Sequence, residues 1–490
     1  MIISRFLHLF PALLGVALAF GVSSRAERPN MVLILADDLG INDLGCYGNN
    51  FYESPHIDRL RREGMRFDQH YSAGSVCSPT RTALITGKFP ARTRSTEVYP
   101  WGLSHVYVAE PLWCEPDRLL SPNQTFLPDV LRAAGYRTAM FGKWHIEGVS
   151  PEEAGYDEWL VNHCDTALAA DANHDEYHLA EITRRSNDFM KEAAQSHTPF
   201  FVVVSHHSVH VPQAATTGSR EHFERKGSLP EWADRSPLQT PVYAGMVKDL
   251  DDSVGDLLAE IGELGIADST LVIFTSDNGG LGDLNFPYRA GKGSWYEGGI
   301  RVPFVARWPE RIQPGSSNNG VVVTTDYFRT LVDLAGGSVP EGAAPDSEDF
   351  TKALLGQSTE ERAPVVFHFP HYRGEDGSAW LRPWSSLRDG DYIYIHHWEV
   401  DLLNGKGPGK IETHELYNLA KDPGQRRNLI GTQPDVAARL QEDLLNRLEA
   451  MGVQIPILMA ERLAALNTLC GKQQDAVIPV VQTAEYALPW

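Results

Sequence analysis

Cys77-Ser78-Pro79-Thr80-Arg81 places a thiol where a helix can begin. Pro79 is tolerated in a first helical turn and Thr80 to Thr86 can continue it, so residue 77 would sit among free backbone N–H groups that favour an anion. Arg81 lies one turn on. Its guanidinium can fork hydrogen bonds towards residue 77 and also reach a neighbouring carboxylate, a task that a lysine ammonium does less rigidly. Carboxylates occur as Asp37-Asp38 and in Asp277-Asn278-Gly279-Gly280, where the glycines permit a tight turn. Two adjacent carboxylates are a costly concentration of charge unless a cation neutralises them. Oxygen-only donors favour Ca2+ or Mg2+ over zinc. Gly142-Lys143-Trp144-His145 sets a cation and a titratable base two residues apart, on one side of an extended segment. Ser205-His206-His207-Ser208-Val209-His210-Val211-Pro212 supplies three imidazoles, at least one of them expected to serve packing. A zinc site there is disfavoured, because no cysteine or carboxylate stands at a familiar spacing. Gly291-Lys292-Gly293 offers one lysine in a backbone-accessible loop. Each motif also has an ordinary structural reading: a core thiol, a helix-surface ion pair, turn residues at strand ends.

The elements that must position these residues are legible as short apolar runs alternating with helical patterns. Met31–Leu35, Thr138–Phe141, Phe200–Val204 and Leu271–Phe274 read as strands, and each is followed at once by one of the polar motifs. Leu179–Ala194 and Tyr243–Leu264 read as amphipathic helices. This is the pattern of an α/β domain whose mostly parallel sheet is covered on both faces, with functional groups at the carboxyl ends of strands. Near residue 360 the pattern changes. Trp384–Trp398 reads as a hairpin around Arg388-Asp389-Gly390-Asp391 and Pro434–Met451 as a closing helix. We therefore expect a large domain over 27–360 and a smaller α+β subdomain over 361–490.

Composition narrows the function classes. The 490 residues carry 43 Lys and Arg against 64 Asp and Glu, a net charge of -21, which argues against nucleic acid or anionic lipid as a partner. An anionic substrate must be met by local cations. Residues 1–26 read as a signal peptide: Arg5 precedes the apolar stretch Phe6–Val22, and Ser24-Arg25-Ala26 suits cleavage near Ala26. The expected location is secreted or periplasmic, with no stable membrane insertion. Cysteines are too few for a disulfide-built scaffold; if Cys77 is consumed, Cys46, Cys114, Cys164 and Cys470 remain to pair.

Taken in order, Asp37-Asp38, the Cys77 pentapeptide, Gly142-Lys143-Trp144-His145, Val209-His210-Val211-Pro212, Asp277-Asn278-Gly279 and Gly291-Lys292-Gly293 resemble the type I formylglycine-dependent sulfatases, arylsulfatase-like members of the alkaline phosphatase superfamily. Glu415-Leu416-Tyr417-Asn418-Leu419 with Asp422-Pro423 is similar to that family's C-terminal signature. The resemblance implies an alkaline-phosphatase-like fold, and a formylglycine-generating enzyme that converts Cys77 to 3-oxoalanine. It implies Ca2+ held by Asp37, Asp38, Asp277, Asn278 and an oxygen on modified Cys77. Arg81, Lys143 and His145 would hold and activate the aldehyde hydrate; His210 and Lys292 would bind the sulfate and its leaving oxygen, with His207 near enough to take a binding role. The substrate implied is a sulfate monoester, on a sulfated small molecule or carbohydrate. Tyr99, Trp101 and His105, with His368, His371 and Arg373, are candidates to contact it. The alternatives are a phosphonate or phosphodiester hydrolase using the same modified residue, and a non-catalytic sulfated-glycan-binding protein.

Overall fold

The computed structural model describes residues 28–98, 112–114, 117–161, 178–227, 240–282, 285–357, 361–375, 378–399 and 413–458. Its main sheet is built from β1 (Asn30–Ala36), β2 (Met65–Tyr71), β4 (Arg137–Gly142), β5 (Glu158–Val161), β6 (Phe200–Ser205), β7 (Thr270–Ser276), β8 (Phe304–Arg307) and β9 (Ser316–Val323); the short β3 (Leu112–Trp113) lies outside it. The spatial order is β5-β4-β6-β1-β7-β8-β2-β9. Every neighbouring pair is parallel except the two that involve β8.

Both faces of this sheet are buried, which is why β1, β6 and β7 read as unbroken apolar runs rather than alternating ones. Met31, Leu33 and Leu35 face one core with Leu84, Ile85, Leu131 and Leu331; Val32, Ile34 and Ala36 face the other with Phe189, Met246 and Leu250. Helix Leu179–Gln195 and helix Pro241–Glu263 cover that second face, the latter started by Pro241 and by Thr240, whose side chain accepts the Tyr243 N–H. The strands that sequence patterning did not single out are those with polar alternation or little length, such as β2 (MRFDQHY) and the four-residue β8.

The C-terminal part forms an antiparallel sheet of β10 (Val365–Phe369), β13 (Trp384–Asp389), β14 (Tyr392–His397) and β15 (His414–Asn418), in that order. The expected hairpin is the β13–β14 pair, and the closing helix spans Pro434–Met451. Ala437, Leu440, Leu444 and Leu448 line the helix face that packs on the sheet. The same core takes in Tyr71, Ala83, Phe89 and Tyr296, so the second sheet is packed against the segments that flank residue 77 and Lys292. Two small ladders, β11 (Arg373–Glu375) with β12 (Ser378–Leu381) and β3 with β16 (Ile457–Leu458), complete the description. Among the described residues no helix is long and apolar enough to cross a membrane.

Candidate active site

Strand register brings the motifs together. Leu35 pairs with Ser205, Gly142 with Ser205, and Ala36 with Ser276, so Lys143, His206, Asp37 and Asp277 leave one sheet edge side by side. The backbone ladder continues one step further: Lys143 N–H donates to the Ser205 carbonyl at 2.9 Å and Asp277 N–H to the Ala36 carbonyl at 3.1 Å. Gly142 is required there, since its φ is +114° and a Cβ would lie 1.8 Å from the Ser205 carbonyl oxygen. Asp38 takes a left-handed φ of 63°, a conformation Asp tolerates better than most residues. Its carboxylate joins that of Asp37 in one cluster with Lys143, Lys292 and Asn278.

Cys77 opens helix Cys77–Thr86, preceded by Val76 in extended conformation, and every residue of that helix is buried. Its Sγ lies 3.3 Å from Asp37 Oδ1 and 3.9 Å from Asp38 Oδ1. One turn on, Arg81 reaches three partners. Nε and Nη2 reach Asp277 Oδ2 at 2.8 and 2.7 Å, and Nη1 donates to the Lys143 carbonyl and to Ser205 Oγ, both at 2.7 Å. Lys143 Nζ pairs with Asp37, and Lys292 Nζ with Asp38 Oδ1 at 2.7 Å. His210 Nε2 stands 3.6 Å from Asp38 Oδ2, while its Nδ1 contacts the Val211 carbonyl.

Burial is complete at Asp37, Asp38, Asp277 and Asn278. Burial pushes Asp37 up, but Lys143, His210, Arg81 and Lys292 outweigh it and hold its carboxyl well below the usual range. Burial, then Asp37, push the Cys77 thiol up to about 12, so as a thiol it is un-ionised at neutral pH. Burial, then Lys292, lower His210 to about 4. The carboxylates of Asp37, Asp38 and Asp277 are matched in charge by Arg81, Lys143 and Lys292, which leaves this cluster neutral.

A hard divalent cation fits these residues. Asn278 Nδ2 donates to Asp38 Oδ1 at 2.8 Å and to the Gly279 carbonyl at 3.0 Å, while its Oδ1 is buried with no hydrogen-bond partner. An acceptor left in that state costs about 1–3 kcal/mol unless a cation or donor satisfies it. Donor atoms of Asp37, Asp38, Cys77 and His210 can all lie within 4.8 Å of one another. Three carboxylates and an amide oxygen are the donor chemistry of Ca2+ or Mg2+ rather than of a soft metal.

Residues 29–338 match the sulfatase family model, and residues 291–454 match the model described as N-sulphoglucosamine sulphohydrolase, C-terminal. The chain belongs to the sulfatase family. Human arylsulfatase A is 31% identical, over 88% of this chain and 90% of its own length. The N-acetylgalactosamine-6-sulfatase of Sus scrofa is 29% identical, over 84% of this chain and 83% of its own. Among solved structures, a protein in complex with its substrate D-glucosamine-2-N,6-O-disulfate superposes with a TM-score of 0.69 at 20% identity, covering 87% of this chain and 98% of the other. The protein is therefore a sulfatase with the alkaline-phosphatase-like fold expected of its superfamily.

In this sulfatase the residues expected from spacing divide into three groups. Asp37, Asp38, Cys77, Arg81, Lys143, His210, Asp277, Asn278 and Lys292 form one contact network. His145 follows Lys143 on the same strand end, half-buried, with φ of 53°, while Trp144 between them turns into the core. His207 is buried, and its carbonyl accepts the His210 N–H at 2.8 Å. His206 is the packing histidine: it is fully buried against Ser253 Oγ at 3.1 Å, and burial lowers it to about 3.

His368, one of the candidates to contact the substrate, lies in β10. Both ring nitrogens are engaged, with Ser385 Oγ at 2.7 Å and the Gln454 carbonyl at 2.9 Å, inside the C-terminal subdomain. Through these two contacts His368 ties β10 to β13 and to the segment after helix Pro434–Met451. His371 contacts Asp117 Oδ1 at 3.0 Å and Thr96 Oγ1 at 2.9 Å, linking β10's exit to the loop beyond the Cys77 helix. Arg373 lies in β11. Tyr99, Trp101 and His105 lie outside the described residues, as do Cys164 and Cys470. No disulfide joins the described cysteines Cys46, Cys77 and Cys114.

Sequence reasoning missed two supports. Ser205 Oγ donates to the Lys143 carbonyl at 2.7 Å while accepting from Arg81. Asn285 spans the Gly280, Gly282 and Ala290 carbonyls at 2.9 to 3.3 Å, bracing the Asn278 turn against the Lys292 loop. Ser205 is the last residue of β6, directly before His206, the one sequence signal that could have found it. Nothing in the local sequence marks Asn285.

Proposed function

We propose that this sulfatase cleaves sulfate monoesters from a carbohydrate, using residue 77 in its 3-oxoalanine form beside a bound Ca2+. The observation that carries this reading is the seat of Cys77: a helix-opening side chain, 1% exposed, against the paired carboxylates Asp37 and Asp38, with Arg81 locked to Asp277 one turn on. Ca2+, held by Asp37, Asp38, Asp277, Asn278 and an oxygen on residue 77, would supply the Lewis acid that neutralises the sulfate oxygens. The modified residue supplies two hydroxyls on one carbon, so the group that accepts the sulfuryl moiety can also expel it, an exit that a serine or cysteine ester lacks.

The chain's own residues do the rest. Lys143 and Lys292 flank the carboxylate pair and bring positive charge to the oxygens of an approaching ester. Arg81 fixes Asp277 and the Lys143 backbone in one rigid fork. His210 presents Nε2 to the cluster and gives a proton to the departing alcohol. Because Nδ1 faces the Val211 carbonyl, which can only accept, donation from Nε2 requires the doubly protonated ring, a form that burial and Lys292 make scarce at neutral pH, so Lys292 on the same cluster competes to supply that proton. His145, on the same strand end, is the base. His207 and His371 remain the described histidines that would contact the substrate.

Carbohydrate is favoured because relatives named for N-acetylgalactosamine 6-sulfate and a neighbour bound to a glucosamine disulfate share the whole architecture. Export through residues 1–26 suits such a substrate. With Cys77 this deeply buried, a formylglycine-generating enzyme must act before the chain folds. Peptide mass spectrometry across residues 72–92 of protein from the native host tests the reading, together with sulfate and phosphodiester assays in parallel. Aldehyde at residue 77 with preference for sulfate is expected. Intact thiol in active material, full activity of Cys77→Ala, or faster phosphodiester hydrolysis would each overturn it.

A further inference from the structure

Lys292 is not held by its own loop alone. Its N–H donates to the Gly280 carbonyl at 2.9 Å and the next N–H, of Gly293, to the Ser75 carbonyl at 2.7 Å. The loop thus lies between the Asn278 turn and the approach to residue 77. Both of its ends are gripped by β15 and the turn that follows it. At one end Arg289 Nη1 donates to Tyr417 Oη at 3.2 Å and to the Gln425 carbonyl at 3.4 Å. At the other end Tyr296 Oη donates to Glu415 at 3.0 Å, and Glu297 N–H donates to Gln425 Oε1 at 2.7 Å. The two ends also meet: the Arg289 guanidinium stacks 3.7 Å from the Tyr296 ring centroid, and Gly298 N–H donates to the Arg289 carbonyl at 3.0 Å.

Glu415 is the hub of this grip. Its buried carboxylate accepts from Tyr296, from Tyr417 and from His397 Nε2 at 2.9 Å, with Arg289 Nη1 at 3.7 Å. Burial pushes the carboxyl up, but the His397 hydrogen bond and charge, Tyr417 and Arg289 hold it below the usual range, so it stays an acceptor for all of these donors. Loss of a hub that orders two loop ends should be felt at the loop's centre, where Lys292 Nζ meets Asp38.

We propose that Glu415 is a positioning residue: through Tyr296 and Arg289 the C-terminal subdomain sets where the Lys292 ammonium stands beside residue 77. This rests on the reading of Lys292 given above. The test is a double-mutant cycle in aldehyde-bearing enzyme from the native host, with kcat and KM on an aryl sulfate normalised to aldehyde content. Lys292→Ala should lower kcat by at least about 100-fold and Glu415→Gln by roughly 10-fold, while the double variant stays within about 2-fold of Lys292→Ala. If the Gln variant does not fold, Tyr296→Phe removes one hydroxyl of the same link and should show a smaller loss, again absent in the Lys292→Ala background. Leu440→Ala, which loosens the C-terminal helix, serves as the control whose effect multiplies with that of Lys292→Ala. Losses that multiply for Glu415→Gln, or wild-type kcat in that variant beside a crippled Lys292→Ala, overturn this proposal alone. Wild-type turnover in Lys292→Ala overturns the assignment of Lys292 itself.

Discussion

Replacing Arg81 by lysine keeps one positive charge and removes a fork. In the native site Nε and Nη2 share Asp277 Oδ2 while Nη1 serves the Lys143 carbonyl and Ser205 Oγ. A lysine ammonium placed on Asp277 cannot also span to the second pair of acceptors. Two hydrogen bonds from a charged donor are then lost, at about 1.5–3 kcal/mol each. Part of this is recovered, because Ser205 Oγ already donates to the Lys143 carbonyl and keeps that acceptor paired. A net destabilisation of about 3 kcal/mol is expected, read as a shift in the urea midpoint without a change in slope. Turnover should fall further than stability suggests, since Asp277 and the Lys143 backbone lose a common anchor and a displacement of about 1 Å at reacting groups costs roughly 100-fold. Arg81 also belongs to the maturation motif, so kcat must be expressed per mole of aldehyde, counted on the 72–92 peptide. Arg81→Lys with stability within ~0.5 kcal/mol of wild type and normalised kcat within about 2-fold would refute the argument that the fork, rather than the charge, is what the site needs.

Stripping divalent ions with a chelator should abolish activity and lower Tm, with Ca2+ restoring both. At 100-fold excess over Kd the bound ion stabilises by about 2.7 kcal/mol, and an unmoved Tm would count against a cation among Asp37, Asp38, Asp277 and Asn278. Gly142→Ala should cost more than about 2 kcal/mol and most of the turnover, because its Cβ would displace the Ser205 carbonyl; a normal melting curve would contradict the register argument. Asp251 accepts the His56 and Ile57 N–H groups from a buried position, and burial raises it to about 7. A carboxyl raised on folding adds stability that is fully present below its unfolded value and lost as pH rises through about 7. Wild type should therefore lose up to a few kcal/mol between roughly pH 4 and 7, a slope made shallower by Asp251→Asn on urea titration, the remainder coming from Asp43 and Asp277, which burial also raises to about 6. His210→Ala should lose at least about 10-fold more activity on an alkyl or sugar sulfate than on a nitrophenyl sulfate, whose leaving group needs no proton; equal losses would move proton donation to Lys292.

Four strands of the main sheet, and the charged residues that directly follow three of them, were legible because those residues sit immediately after buried apolar runs, and a parallel sheet presents such positions at one edge. Asp37 follows β1, Lys143 follows β4, and Asp277 follows β7, so finding the strands was enough to place the charges. His206 shows where that logic stops. It follows β6 as directly as Lys143 follows β4, yet it turns to Ser253 on helix Pro241–Glu263, and only the fold decides which side of the edge a side chain takes. The partners of His368 are equally out of reach of local spacing: Ser385 and Gln454 are 17 and 86 residues away. The grip of Glu415 on Tyr296 spans 119 residues and joins two motifs that each looked self-sufficient. Local spacing therefore locates the groups that bear charge. The neutral and long-range contacts that hold those charges within ångströms of one another, Ser205, Asn285 and Glu415 foremost, become visible only when the two sheets are packed together.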